Sequence, residues 1–287
     1  MDSSEFAARR KRFRELHKHD CFVIPNPWDI GTALYLKKLG FSALATTSSG
    51  FAMTRGLPDA DWAVPRDAVL EHVHEIVNAT ELPVNADFES GYAHEPEGVA
   101  ESVRLCVATG VAGLSIEDST GDAAHPLYEL PMAVERIKAA RAAIGDSGVL
   151  LTGRAECFLV GHPDPLRESI RRLEAYAEAG ADVLYAPGIR TRAEIQAVVD
   201  AVKPKPVNVL MGWPSEMRVP DLAAIGVRRI SVGSSLARAA WTGFQRAARM
   251  IAEEGSFGGF EGLVPYAELN GFFREEHHKQ RTTGQKR

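Results

Sequence analysis

Acidic side chains and one arginine fall at the ends of apolar runs, which is where a polar site backed by a hydrophobic core would lie. Asp87 and Glu89 close the run LPVNADFE near position 82, Glu117 and Asp118 close AGLSIED near 112, and Arg154 and Glu156 close VLLTGRAE near 149. In an extended strand, residues two apart share a face, so Asp87 and Glu89 are predicted to point the same way. Two carboxylates so placed repel each other unless a proton or a cation lies between them. Glu117 brings a third acid from the neighbouring run. Hard oxygen donors, without clustered histidine or paired cysteine, select Mg2+ or Mn2+ over zinc. The alternative for any single acid is that it caps the helix that follows.

Arg154 ends a buried run, a costly place for an unpaired cation. Either Glu156 or Glu117 pairs with it, or a bound carboxylate or enolate oxygen does, for which paired guanidinium donors are suited. At the end of another run, Thr46-Thr47-Ser48-Ser49-Gly50 offers hydroxyls and successive backbone N–H groups, a small anion cradle. The same tripeptides also make ordinary turns. Asn208 ends a further run.

These residues need elements that bring distant positions together. Eight apolar runs alternate with amphipathic ones: CFVIPN near 21, FSALATTSS near 41, the three above, DVLYAPG near 182, PVNVLM near 206 and RISVGSSL near 229. Their continuous apolar character suits a parallel sheet covered on both faces. PRDAVLEHVHEIVNAT, AVERIKAARAAI, DPLRESIRRLEAYAEAG and TRAEIQAVVDAV space apolar residues three and four apart, as helices do. Helices stop at Gly40, Gly110, Gly180 and Gly226 just before a strand, where glycine tolerates the left-handed conformation that ends a helix. The expected fold is an α/β class (β/α)8 TIM barrel with its chemistry at the C-terminal strand ends. A doubly wound open sheet is the alternative, but no GxGxxG follows any strand.

Residues 1–20 read as an N-terminal helix, 21–255 as the barrel and 256–287 as a C-terminal extension and tail, with no second domain. In the first segment Phe6, Phe13 and Leu16 share one helical face, which leaves Arg9, Arg10, Lys11, Arg12 and Arg14 solvated on the other. In the last, Phe260, Leu263, Tyr266, Leu269, Phe272 and Phe273 are expected to pack on this subunit or a neighbour, and the final dozen residues to fray.

Bulk composition narrows the function classes. The 33 Lys and Arg against 38 Asp and Glu give a net charge of −5, which disfavours nucleic acid as a partner. No apolar stretch approaches the roughly 18 residues of a membrane span, and no apolar segment follows the basic N-terminal residues as a secretory signal requires. Cys21, Cys106 and Cys157 form no CxxC and no even set, so a reducing, cytoplasmic setting is expected.

In order and spacing, PNPWDIGTALYLKKLGF, TTSSGFAMTRGLPD, PVNADFESGY, GLSIEDST, TGRAE, AYAEAGAD, PVNVL and GVRRISVGSSL resemble the isocitrate lyase/phosphoenolpyruvate mutase superfamily, from about Pro25 to about Leu236. The resemblance implies a barrel whose last helix is often exchanged between subunits, dimers paired into tetramers, and Mg2+ or Mn2+ held largely through waters. It implies a metal-binding role for Asp87, Glu89, Glu117 and Asp59. A carboxylate grip would come from Ser48, Ser49 and Gly50, an enolate contact from Arg154, and a distal-carboxylate contact from Asn208. Members make or break a bond to C3 of a 2-oxo acid or its enolate.

Isocitrate-type lyases carry a K-[KR]-C-G-H loop after the IED strand. Here that stretch reads Ser119-Thr120-Gly121-Asp122-Ala123-Ala124-His125-Pro126-Leu127, without the cysteine. The Lys- and Asn-bearing loop of the phosphonate enzymes is missing as well. The remaining resemblance is to the branch that includes oxaloacetate decarboxylase-like enzymes. His125, Asp122 and Tyr128 are then the candidate proton donors, with Arg154, Ser48 and His125 as the catalytic set, and Tyr185 and Trp213 as pocket walls. The expected activity is a Mg2+-dependent carbon–carbon lyase acting on a small 2-oxo or 2-hydroxy di-acid. Two alternatives stand beside it: a phosphonopyruvate mutase or hydrolase, and a non-catalytic ligand-binding barrel.

Overall fold

The computed structural model describes residues 3–60 and 62–284. Its eight parallel strands are β1 (Phe22–Ile24), β2 (Leu44–Ala45), β3 (Val84–Asp87), β4 (Gly113–Glu117), β5 (Leu150–Arg154), β6 (Val183–Tyr185), β7 (Val207–Leu210) and β8 (Arg229–Ser231). They pair in the order β1-β8-β7-β6-β5-β4-β3-β2, with helices between them: the α/β TIM barrel expected from the run count. No helix among the described residues is long and apolar enough to cross a membrane.

Contacts divide the chain into two compact units, Met1–Ser235 and Leu236–Arg287. The first holds every strand. Most of the second lies in helices, with Ser235–Glu254 leading into it and Tyr266–Gly284 closing it, the latter running through much of the tail expected to fray. Of the six apolar residues expected to pack there, Phe272 is buried, whereas Phe260, Leu263, Tyr266, Leu269 and Phe273 stay exposed.

One asparagine closes the seam between the end strands of the ladder. Past β1, the Asn26 side-chain amide donates to the Thr46 carbonyl at 2.9 Å, beyond β2. Its Oδ1 accepts from Val232 N at 3.0 Å and Gly233 N at 2.9 Å, beyond β8. A backbone bond from Ala45 N to Pro25 O, 3.0 Å, runs alongside. Asn26 is buried, so each of these groups would otherwise be desolvated without a partner.

At the opposite end Lys11, Arg12 and Arg14 of the N-terminal helix (Ser3–Leu16) are exposed as expected, whereas Arg9 and Arg10 are half-buried. Arg9 donates to Val77 O at 2.7 Å. Arg10 reaches the Val107, Val111 and Ser147 carbonyls, and Arg12 reaches Glu81 O. Helix C-termini leave carbonyls unpaired and carry partial negative charge, and the barrel presents several of them on one face. The guanidinium groups satisfy them while Phe13 is buried beneath. The four helix-ending glycines all adopt left-handed φ, between Gly40 at 87° and Gly180 at 104°. At Gly110 a side chain would also meet the Phe6 ring, 2.3 Å from an ideal Cβ.

The outward-facing strand residues Leu114, Ile116, Leu151, Leu184, Val209 and Ile230 join the helices in one apolar core. The inward set departs from the expected apolar strand bodies. Asn85, Ser115, Thr152, Asn208 and Arg229 are buried polar residues, in a position that TIM barrels usually fill with branched aliphatics.

Two outcomes follow from these buried groups. Asn26→Ala orphans two N–H groups and one carbonyl at the seam, so a loss of about 1–3 kcal/mol is expected, read as a lower urea midpoint. Burial, with Arg55 adding to it against Asp29, depresses the His72 pKa to about 4, and burial with Arg229 depresses that of His17 to about 3. A depressed folded-state pKa contributes stability that is full above the ordinary value of 6.5 and is lost as pH falls toward the folded one. Between about pH 7.5 and 5 the unfolding midpoint is expected to drop, by roughly 1.4 kcal/mol per pH unit below 6.5 for each histidine. The drop should shrink in His72→Gln.

Candidate active site

The mouth of the barrel is organised around Arg154, the last residue of β5. Its Nη1 lies 3.2 Å from Asp87 Oδ1 and 3.1 Å from Glu117 Oε2, while Nε and Nη2 each donate to a different carboxylate oxygen of Glu156. Both partners suggested by the sequence are engaged at once, together with Asp87. Burial opposes the guanidinium charge, but Glu117, Glu156 and Asp87 outweigh it and hold the proton more firmly than usual. The Tyr185 ring lies 5.4 Å away.

Two cavities share this cation. An outer one of about 470 Å³ is lined by Asp59, Glu89, Glu117, Arg154 and Glu156. An inner one of about 160 Å³ descends past Ser48, Ser49, Asp87 and Tyr185 to Asn208 and Arg229. Five carboxylates thus face one guanidinium, and burial raises the proton affinity of Asp59, Glu89 and Glu117, with neighbouring carboxylates adding to it. Burial, then Asp87, raises Asp59 against the Ser48 and Ser49 hydroxyls. Burial also lifts Glu89 to about 7, with Asp87 and Asp59 adding to it and the Tyr92 hydrogen bond opposing. Glu117 is pushed up by burial despite Arg154.

Glu89 reaches the site by a different route from the one its spacing suggests. β3 ends at Asp87, so strand alternation does not extend to Glu89. That residue adopts a left-handed φ of 45°, accepts from Tyr92 Oη at 2.7 Å, and offers its carbonyl to Glu117 N. Trp62 and Tyr92 have φ of 52° and 55°. Such a conformation costs a non-glycine residue of order 1–3 kcal/mol, and here three of them gather along one wall of the mouth.

The serine cradle also differs from expectation. Ser48 opens the helix Ser48–Arg55, and both its N–H and its hydroxyl donate to Asp87 Oδ2 at 3.1 Å. Gly50 N donates to the Thr47 hydroxyl, which caps the helix. First-turn amides seek such partners, so of the three only the Ser49 amide has none among the described residues.

Asn208 sits where the register places it. The pairs Glu117↔Arg154, Arg154↔Tyr185, Tyr185↔Asn208 and Asn208↔Arg229 form one continuous line. Because barrel strands are tilted, this line runs from the rim to the floor. Arg229 is fully buried and donates to Asn208 Oδ1 at 2.8 Å and Thr152 Oγ1 at 3.0 Å, with no carboxylate in contact among the described residues. The sequence reading missed it because RRISVGSSL looked like the start of an ordinary strand; an arginine at an inward position was the available signal. Asp118, next to Glu117, points outward and accepts from Glu156 N, Arg172 and Tyr176 Oη. It fixes the backbone of the residue that clamps Arg154.

The loop candidates are not drawn in. His125 is 85% exposed and faces Asp122 at 3.3 Å, the surface pairing its turn-forming neighbours favour. Trp213 lies against Arg190 instead of the cavity. Tyr128 is buried with its hydroxyl 2.6 Å from His94 Nδ1, and His94 and Trp62, neither singled out by the sequence, line the outer cavity. Cys106 and Cys157 are buried, and burial raises the Cys157 thiol to about 11.

Oxygen donors carrying excess charge fit a divalent cation in kind. No group of three acidic, histidine or cysteine side chains among the described residues converges closely enough to enclose a bare ion. Asp59, Asp87, Glu89 and Glu117 are the residues that could hold such a cation.

A family profile for phosphoenolpyruvate phosphomutase matches residues 13–252. An oxaloacetate decarboxylase from Bradyrhizobium sp. (strain ORS 278) is 31% identical over 79% of this chain and 78% of its own. A 2-methylisocitrate lyase from Halalkalibacterium halodurans is 27% identical over 90% and 87%. A crystal structure from Burkholderia cenocepacia J2315 superposes with a TM-score of 0.89 at 46% identity, covering 94% of this chain and 97% of that one.

With its thiol held protonated and away from both cavities, Cys157 is not expected to contribute to chemistry. Cys157→Ala should remain folded by circular dichroism and keep its turnover within about twofold, at a packing cost of about 1 kcal/mol.

Proposed function

The chain belongs to the phosphoenolpyruvate phosphomutase family, and on that premise we propose that it is a Mg2+-dependent carbon–carbon lyase acting on a small 2-oxo or 2-hydroxy di-acid, with oxaloacetate decarboxylation as its nearest model reaction. The observation that carries the reading is Arg154, gripped by Asp87, Glu117 and Glu156 at the junction of an acid-rich mouth and a cation-floored chamber. The mouth suits a metal ion with the reacting 2-oxo acid end. The chamber suits a second carboxylate.

Bound between these acids, a divalent ion would supply charge that favours an enolate over its parent acid. The Ser49 amide orients the adjacent carboxylate, while Ser48 holds Asp87 beside it. Arg154, kept charged by its three carboxylates, offers the donor capacity they leave to the oxygen where negative charge develops, and loss of one such donor commonly costs about 10²–10³ in rate. Asn208 and the unpaired charge of Arg229 receive the far carboxylate in the inner chamber. Trp62, Leu159 and Val160 wall the outer cavity and limit water beside the forming enolate. The aromatic groups left exposed on the C-terminal unit, including Trp241, Phe244 and Tyr266, support assembly with like chains as a dimer of dimers.

Pyruvate release from oxaloacetate, methylisocitrate and 2-methylmalate-type acids, with Mg2+ and then with chelator, tests the reading. Turnover that chelator abolishes is expected on at least one of them, and Asp87→Ala should remove both that turnover and the rise in melting temperature on adding Mg2+. Phosphate release from phosphonopyruvate alone would transfer the activity to a carbon–phosphorus bond. An absence of turnover on every acid would leave a binding protein.

A further inference from the structure

An enolate released at C3 must collect a proton, and the groups around Arg154 are poorly placed to give one. Arg154 holds its protons too firmly, the carboxylates are committed to it or to the cation, Cys157 is buried away from the cavities, and His125 points to solvent. Among the described residues that line the outer cavity there is one imidazole. His94, on the loop between β3 and the helix Pro96–Ala108, lines the same outer cavity as Glu89, Asp59 and Arg154. Its Nδ1 lies 2.6 Å from Tyr128 Oη, and its ring lies 4.9 Å from the Trp62 indole. Arg136 holds the loop by donating to the Ala93, His94 and Ser90 carbonyls and covers the Tyr128 ring at 4.0 Å. The imidazole is therefore fixed through one nitrogen, and Nε2 has no protein partner among the described residues.

We infer that His94 is the proton donor of this site and that Tyr128 is its positioning residue. This rests on the enolate reading above. In the step, the enolate π pair takes the proton from His94 Nε2 to form the C3–H bond and the C2 carbonyl is restored. The neutral imidazole then regains a proton from solvent through the open mouth. A histidine on the loop after β3 thus takes the place of an acid on the loop after β4.

The test isolates protonation from bond cleavage. Wild-type enzyme with Mg2+ and pyruvate in deuterium oxide is expected to exchange the C3 protons, followed by proton NMR. His94→Asn and His94→Gln should slow that exchange by about 10²–10⁴-fold, the range for loss of a general acid–base group, while oxalate binding measured calorimetrically with Mg2+ stays within about threefold. Tyr128→Phe should shift the pH profile of exchange without weakening oxalate. Exchange at the wild-type rate in both His94 variants overturns the inference, and so does loss of oxalate binding in both. A wild-type enzyme that turns over a di-acid but exchanges no pyruvate proton overturns it too, with the proposed function intact. If neither turnover nor exchange occurs in the wild type, the proposed function itself falls.

Discussion

The arrangement of the mouth depends on one buried guanidinium. Removing a cation from water is prohibitive without close counter-charges, so Arg154 at the end of β5 requires acids from its neighbours. Asp87 arrives from β3, Glu117 from β4 and Glu156 from two residues downstream. Two of those acids are in turn fixed by something else: Asp87 by the first turn of the helix after β2, and Glu156 by Asp118. The positions of four successive strand ends are thereby tied to one charge. What is left over is negative, and the proposed metal role draws on that surplus.

Much of this was legible in the sequence, for an identifiable reason. A parallel barrel repeats a simple pattern, an apolar run ending in polar residues and then a helix stopped by glycine, and the pattern requires no long-range information. Asp87, Glu117, Arg154 and Asn208 all sit at ends of runs, so counting runs located them. Glu89 was placed near the site by an argument that fails in detail, since the strand stops before it. A left-handed residue leaves no trace in the spacing. Arg9 and Arg10 were misread for a complementary reason: an exposed helical face says nothing about unpaired carbonyls presented to it by elements about seventy to a hundred and forty residues away.

His94 and Arg229 were missed for different physical reasons. His94 belongs to a loop whose conformation is held by Arg136, and no periodicity governs such a segment. Arg229 sits in the barrel interior, where aliphatic packing is the rule, and its neutral partners Asn208 and Thr152 come from other strands. Register alone connects it to the mouth, through the line from Glu117 to Asn208. Two cations therefore bracket the inner chamber, one paired with three carboxylates and the other with none among the described residues.

The N-terminal helix has a consequence for the order of events during synthesis. Arg10 makes one of its bonds to Ser147, 137 positions later, and β1 finds its ladder partner only when Arg229 to Ser231 has been made. The segment that leaves the ribosome before the barrel is thus among the last to be fully secured, and its apolar face meets Gly110 and Gly113 only after about a hundred further residues have emerged. Contacts of such separation slow folding, and they leave an amphipathic, strongly basic helix waiting in the open. Its charge is well suited to keeping that waiting segment in solution.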